Sequence, residues 1–153
     1  MRVHMGFHFP RTADLMSSIP PNVGAQPDPL DASTLSASLT VTDLQASLAW
    51  YRDVLGFTVS RTFDRAGTLF AASLRAGSVA VLLTRDDGAK GADRVKGEGI
   101  SLQLTTAQNI DELARRIQER GGTLTSEPAD VMGARAFRLR DPDGFKLVIS
   151  SPR

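Results

Sequence analysis

One pattern of elements occurs twice in this chain. LTVTDLQASLAWYRDVLGFTV (residues 39–59) can be laid over LQLTTAQNIDELARRIQERGGTL (102–124) with only a short slip. Each copy reads as a strand, a helix and three further strands. Self-similarity at this period outweighs any reading of a single segment. A βαβββ unit of ~50 residues is too small to bury one face of its own sheet. The expected fold class is therefore α+β, with two βαβββ modules forming a curved mixed sheet, helices outside and a cleft inside.

The alternation of side chains assigns the faces. In LSASLTV (35–41), Ala37, Leu39 and Val41 point one way and Ser36, Ser38 and Thr40 the other. Asp43 is the expected N-cap of the first helix. Leu44, Leu48, Tyr51 and Leu55 form its apolar stripe, and Gly56 ends it. FTVSRTFD (57–64) reads as a strand, and residues 67–85 as a hairpin around Ala76-Gly77. In the second copy Ile100, Leu102 and Leu104 alternate with Gly99, Ser101 and Gln103. Asn109 is the expected cap of a helix whose buried stripe is Ile110, Leu113, Ala114 and Ile117. Asp111 and Glu112 in its first turn and Arg116 and Arg120 in its last complement the helix dipole. Pro128 marks TLTSEPADV (123–131) as an edge strand. Asp141-Pro142-Asp143-Gly144 supplies the turn of the last hairpin.

These signals divide the chain into a flexible N-terminal extension (1–33) and one domain (34–153). Within the domain, module one spans 35–85, a polar linker 86–98, and module two 99–151. The extension carries both histidines, His4 and His8. Its Gly6, Phe9 and Pro10 argue against the helix that a His-x3-His metal site would need. It lacks the continuous apolar run of a secretory signal, and no stretch approaches the ~20 apolar residues of a membrane span. The absence of cysteine excludes disulfides and thiolate chemistry and is compatible with a cytoplasmic location. A formal net charge of +1 offers no electrostatic footprint for nucleic acid.

VTDLQASLAWYRDVLGF (41–57), the short strand from Gly77 to Leu82, the GISLQL start of the second module and the terminal DPDGFKLVI together resemble the vicinal oxygen chelate superfamily. That superfamily includes glyoxalase I, extradiol dioxygenases and bleomycin-resistance proteins. The resemblance covers residues 35–150 and implies the fold deduced above. In metal-using members, His, Glu or Gln at four inward positions chelate a divalent cation. Those positions fall here on Ser36, Leu82, Gly99 and Val148, and Glu98 is the only carboxylate beside any of them. One carboxylate cannot hold a cation that takes three or four protein ligands. The resemblance therefore implies the metal-free branch, with no cofactor.

The expected cleft-lining set is Ser36, Ser38, Phe70, Ala72, Leu82, Ser101, Gln103, Arg138, Lys146 and Val148, with Thr40, Leu74, Ala80 and Ala136 beside them. Apolar walls with a few orienting polar groups suit a small molecule. Arg138 and Lys146 either meet an acidic or carbonyl-rich ligand or lay their apolar stems along the sheet and end in solvent. No catalytic residue is assigned. Asp141 and Asp143 sit in a tight turn where aspartate accepts backbone N–H bonds, and a serine nucleophile would lack a histidine base within the domain. The expected function is metal-independent sequestration of an aromatic or amphipathic ligand in the cleft of a homodimer, as in antibiotic resistance by drug binding. The alternatives are a lyase, isomerase or dioxygenase of the same superfamily, or a dimerisation module with a vestigial cleft.

Overall fold

The computed structural model describes residues 30–152. His4, His8 and most of the 1–33 extension lie outside the described residues. The unit containing both modules begins at Thr34.

Module one runs β1 (Ala37–Val41), α1 (Leu44–Ala49), β2 (Thr58–Arg65), β3 (Thr68–Ala76) and β4 (Val79–Arg85). Module two runs β5 (Ser101–Thr105), α2 (Ile110–Glu119), β6 (Leu124–Val131), β7 (Ala134–Arg140) and β8 (Lys146–Pro152). The hydrogen-bond ladders make one four-stranded mixed sheet per module, ordered β1-β4-β3-β2 and β5-β8-β7-β6. In each, the first strand runs parallel to the last, and the other pairs are antiparallel. The two sheets thus repeat one topology, as the duplicated pattern requires.

Local chemistry starts and stops the helices. Asp43 accepts the Ala46 N–H and Asn109 the Glu112 N–H, so both expected caps form. Beyond Ala49 the first helix widens into a π-helical turn, Trp50–Val54. The wider turn brings Val54 into the core beside Tyr51 and leaves Leu55 half-buried. Gly56, at φ 80°, ends it.

One continuous core joins the modules. Leu39, Val41, Val81 and Leu83 meet Leu44, Leu48 and Tyr51; Phe137, Leu139, Leu147 and Ile149 meet Ile110, Ala114 and Ile117. β6 is the edge of its sheet, and its register with β7 shifts on either side of Ser126, the second shift spanning Pro128. Phe57, buried, stacks edge-on against the Tyr51 ring.

Strand β3 corrects one face assignment. Ala72 pairs with Leu83 and Leu74 with Val81. Both lie on the helix-covered face and are wholly buried. Phe70 stands under Arg65 at 4.3 Å, where the register of β2 and β3 shifts, so the phase of Ala72 and Leu74 does not extend to it. Ala72 and Leu74 therefore do not line the open face. Ala71 and Ser73, paired with Thr84 and Leu82, do.

Candidate functional site: a crevice between the first strands of the two modules

The face away from the helices is built from matching rows. In module one, Ser38 pairs with Leu82, and Leu82 with Ser73. In module two, Gln103 pairs with Val148, and Val148 with Arg138. A second row joins Ser101, Lys146 and Arg140. Strand geometry alone fixes these neighbours, because residues opposite one another on a ladder share a face.

β1 and β5 are both edge strands, and a crevice of about 620 Å³ opens between them. Its lining brings Ser36, Ser38 and Ala80 from module one together with Ser101 and Gln103 from module two. Apolar side chains close it: Leu35, Val79, Ile100, Leu102 and Phe57. Of the expected cleft residues, Ser36, Ser38, Ser101 and Gln103 thus border one cavity. Leu82, Val148, Arg138 and Lys146 lie outside that lining but on ladder rows that lead into it. Neither Arg138 nor Lys146 has an ion-pair partner among the described residues.

The positions that carry metal ligands elsewhere in the resemblance do not fit a divalent cation. Leu82 and Val148 offer no lone pair, Gly99 has no side chain, and Ser36 is a weak donor preceding β1. On the ladders, Leu82 stands beside Ser38 and Ser73, and Val148 beside Gln103 and Arg138. That gives hydroxyls, an amide and a cation where Zn²⁺ takes His, Cys or carboxylate. Among the described residues no cluster of three or more His, Cys, Asp or Glu could hold a metal ion.

Both turn aspartates fasten the terminal hairpin to module one. Asp141 Oδ1 accepts the N–H groups of Asp143 and Phe145, and Oδ2 accepts the Tyr51 hydroxyl at 3.0 Å. Burial raises the Asp141 carboxyl above its ordinary pKa despite these donors. Burial, reinforced by the neighbouring Asp141 carboxylate, also pushes the Tyr51 hydroxyl well up. Asp143 Oδ1 accepts from the Thr42 N–H (2.9 Å), the Thr42 hydroxyl (2.6 Å) and Lys96 Nζ (3.1 Å). Neither carboxylate faces the crevice. The linker, read from sequence as polar, carries an inward-facing cation. Lys96, with a side chain 9% exposed, bridges Asp86 and Asp143, and residues 94–98 border a smaller hollow with Ser38 and Thr40.

Residues 33–149 match the family model of the Glyoxalase/Bleomycin resistance protein/Dioxygenase superfamily. The chain belongs to that superfamily. Within it, the chain is 31% identical over 122 residues to a lactoylglutathione lyase of Salmonella typhimurium, covering 74% of this chain and 87% of that protein. Among solved superfamily-like folds, TioX from Micromonospora sp. ML1 superposes with a TM-score of 0.65 at 21% identity, covering 80% of this chain and 100% of TioX. TnmS3, an antibiotic binding protein from Streptomyces sp. CB03234, gives 0.65 at 19% identity, covering 80% of this chain and 98% of TnmS3. These two likenesses establish the shared fold. No helix among the described residues is long and apolar enough to cross a membrane.

Proposed function

We propose that this superfamily member binds an aromatic or amphipathic small molecule without a metal and without changing its bonds. The crevice between β1 and β5 carries the proposal. It joins inward hydroxyls and an amide from both modules to apolar walls, and the ladder rows around it hold no cation-binding set. Hydrophobic walls would supply most of the affinity, and Ser38, Ser101 and Gln103 would orient the ligand. Arg138 and Lys146, each without an acidic partner among the described residues, favour a ligand with an acidic or carbonyl-rich portion. A homodimer would extend the open faces of both sheets into complete clefts. The antibiotic-binding fold relative supports sequestration as the biological consequence.

The decisive test pairs elemental analysis with thermal-shift screening. Purified protein should carry far less than one zinc, nickel, manganese or iron per chain and gain nothing on metal addition. Aromatic natural products should raise its Tm by mass action. A stoichiometric metal would overturn the proposal.

A lyase reading is favoured by one observation, the 31% identity to a lactoylglutathione lyase. Turnover of the methylglyoxal–glutathione adduct, assayed with and without added Zn²⁺ or Ni²⁺, separates the two readings.

A further inference from the structure

A second cavity adjoins that crevice, and the two share Phe57, Ser78, Val79 and Leu104. It has a volume of about 770 Å³ and is walled by the end of the π-helical turn, the β3–β4 turn, the end of β5 with the residues after it, and α2. Its walls include Leu55, Phe57, Leu113 and Ile149, and its charged groups are Arg116 and Arg120, with no Asp or Glu in the lining.

Other arginines nearby have acidic partners. Arg115, on another face of α2, pairs with Glu119, and Arg135 pairs with Asp111 and Asp130. Among the described residues Arg116 and Arg120 pair with none. They stand four positions apart on one helix, a spacing at which like charges repel. Their place at the end of α2 suits the helix dipole, but no carbonyl there needs their hydrogen bonds. The last carbonyls of α2 are already taken by backbone donors: Arg116 O by the Arg120 N–H, Ile117 O by the Gly122 N–H, and Gln118 O by the Gly121 N–H. Gln108 adds a donor. Its Oε1 faces the Thr106 hydroxyl, and its amide nitrogen has no partner among the described residues.

We infer that this cavity is a second ligand site, selective for a small amphipathic anion whose carboxylate, sulfonate or phosphate head meets Arg116 and Arg120. The apolar body packs against Leu55, Leu113 and Ile149. A planar guanidinium presents paired donors to such oxyanions, and an anion between the two arginines removes their mutual repulsion. The site adjoins the β1–β5 crevice but has its own charged groups: Arg116 and Arg120 line this cavity and not the crevice, and it shares neither Ser38, Ser101 nor Gln103.

The test titrates the full chain with 2-naphthoate and with its neutral isostere 2-naphthamide. Calorimetry gives affinity, and ¹⁵N-resolved spectra locate binding. Naphthoate should shift the amides of residues 105–108 and 113–120, bind at least tenfold more tightly than the amide, and weaken as salt rises. Arg116→Gln and Arg120→Gln should each weaken it at least fivefold, with melting temperatures close to that of the parent. Arg115→Gln, on another face of α2, should leave it unchanged. Five results would each overturn the site: no binding at millimolar naphthoate, equal affinity for the amide, shifts confined to β1 and β5, indifference to both arginine variants, or a self-associated chain whose interface protects residues 105–108.

Discussion

Tyr51, in the π-helical turn of module one, donates its hydroxyl to Asp141, in the last turn of module two, across 90 positions of sequence. Both side chains are buried, at 0% and 5% exposure. The bond joins the modules at a point where neither partner has water as an alternative. Tyr51→Phe keeps the ring and its edge contacts with Trp50 and Phe57 but leaves Asp141 Oδ2 unsatisfied. The expected loss is about 1–3 kcal/mol, read as a lower urea midpoint at unchanged m. Asp141→Ala should lose more, because two backbone N–H groups lose their acceptor as well. Equal stability of Tyr51→Phe and the parent would show that the bond contributes nothing net.

The glycine pair after α2 makes a second prediction, because the two positions are glycine for different reasons. Gly121 has φ 89°, and a Cβ there meets nothing within 4 Å. Gly122 is crowded instead: its Cβ would lie 2.5 Å from Ile117 Cγ2, 2.9 Å from the Ile117 carbonyl and 2.9 Å from Val54 Cγ1. Gly121→Ala should cost about 1–2 kcal/mol of backbone strain. Gly122→Ala should cost more, since a backbone carbonyl cannot step aside and overpacking displaces the contact between the helices. Thermal melts of the two variants give the ranking, and a milder Gly122→Ala would contradict it.

The repeated pattern made most of this fold legible. β1 and β5 alternate cleanly, and Asp43 and Asn109 announce their helices. β3 was harder to read because it is small or apolar on both sides: Phe70, Ala71, Ala72, Ser73 and Leu74 give no parity, and only pairing of Ala72 with Leu83 decides it. A period of 3.6 also fails at Trp50–Val54, where the turn widens and Val54 replaces Leu55 in the core. Ser36, Ser38, Ser101 and Gln103 could be placed at one crevice because strand phase carries that information. The roles of Asp141, Asp143 and Lys96 could not. Their partners Tyr51 and Thr42 lie 90, 101 and 54 positions away, and local spacing encodes no such contact. The cavity at Arg116 and Arg120 escaped notice for the same reason, since five separate segments build it, Ile149 of β8 among them.

The crevice predicts a separation of binding from stability. Ser38 is exposed beside the cavity and pairs only through its backbone. Ser38→Trp should fill the space between β1 and β5 and weaken any crevice ligand at least tenfold, with a melting temperature near that of the parent. Lys146→Gln should weaken anionic ligands while sparing neutral ones, and this difference should shrink at high salt. Ligand titration of the parent and both variants at two salt concentrations checks both statements. Unchanged affinity in Ser38→Trp would move the ligand elsewhere.

Acid stability should depend on Lys96. At Asp143 burial acts to raise the carboxyl, but the Thr42 donors and Lys96 outweigh it, and the pKa falls below 3.8. Asp86, hydrogen-bonded first by Lys96 and then by the Gly88 N–H, is lowered to about 2. A carboxylate with a depressed folded pKa gives stability that is complete above its unfolded pKa and lost as pH falls through the folded one. Both contributions therefore vanish as pH drops from about 4 towards 2. Asp141 has the opposite sign. Its folded pKa is raised, so its contribution is full below the unfolded value and is lost as pH rises through the folded one. It opposes the other two and softens the acid slope. Lys96→Met removes the shared cation of Asp86 and Asp143. Urea midpoints of parent and variant should differ most above pH 5, and the gap should narrow steadily as pH falls from about 4 towards 2. A gap that stays constant across that range would mean that Lys96 stabilises the chain through its packed stem and not through its charge.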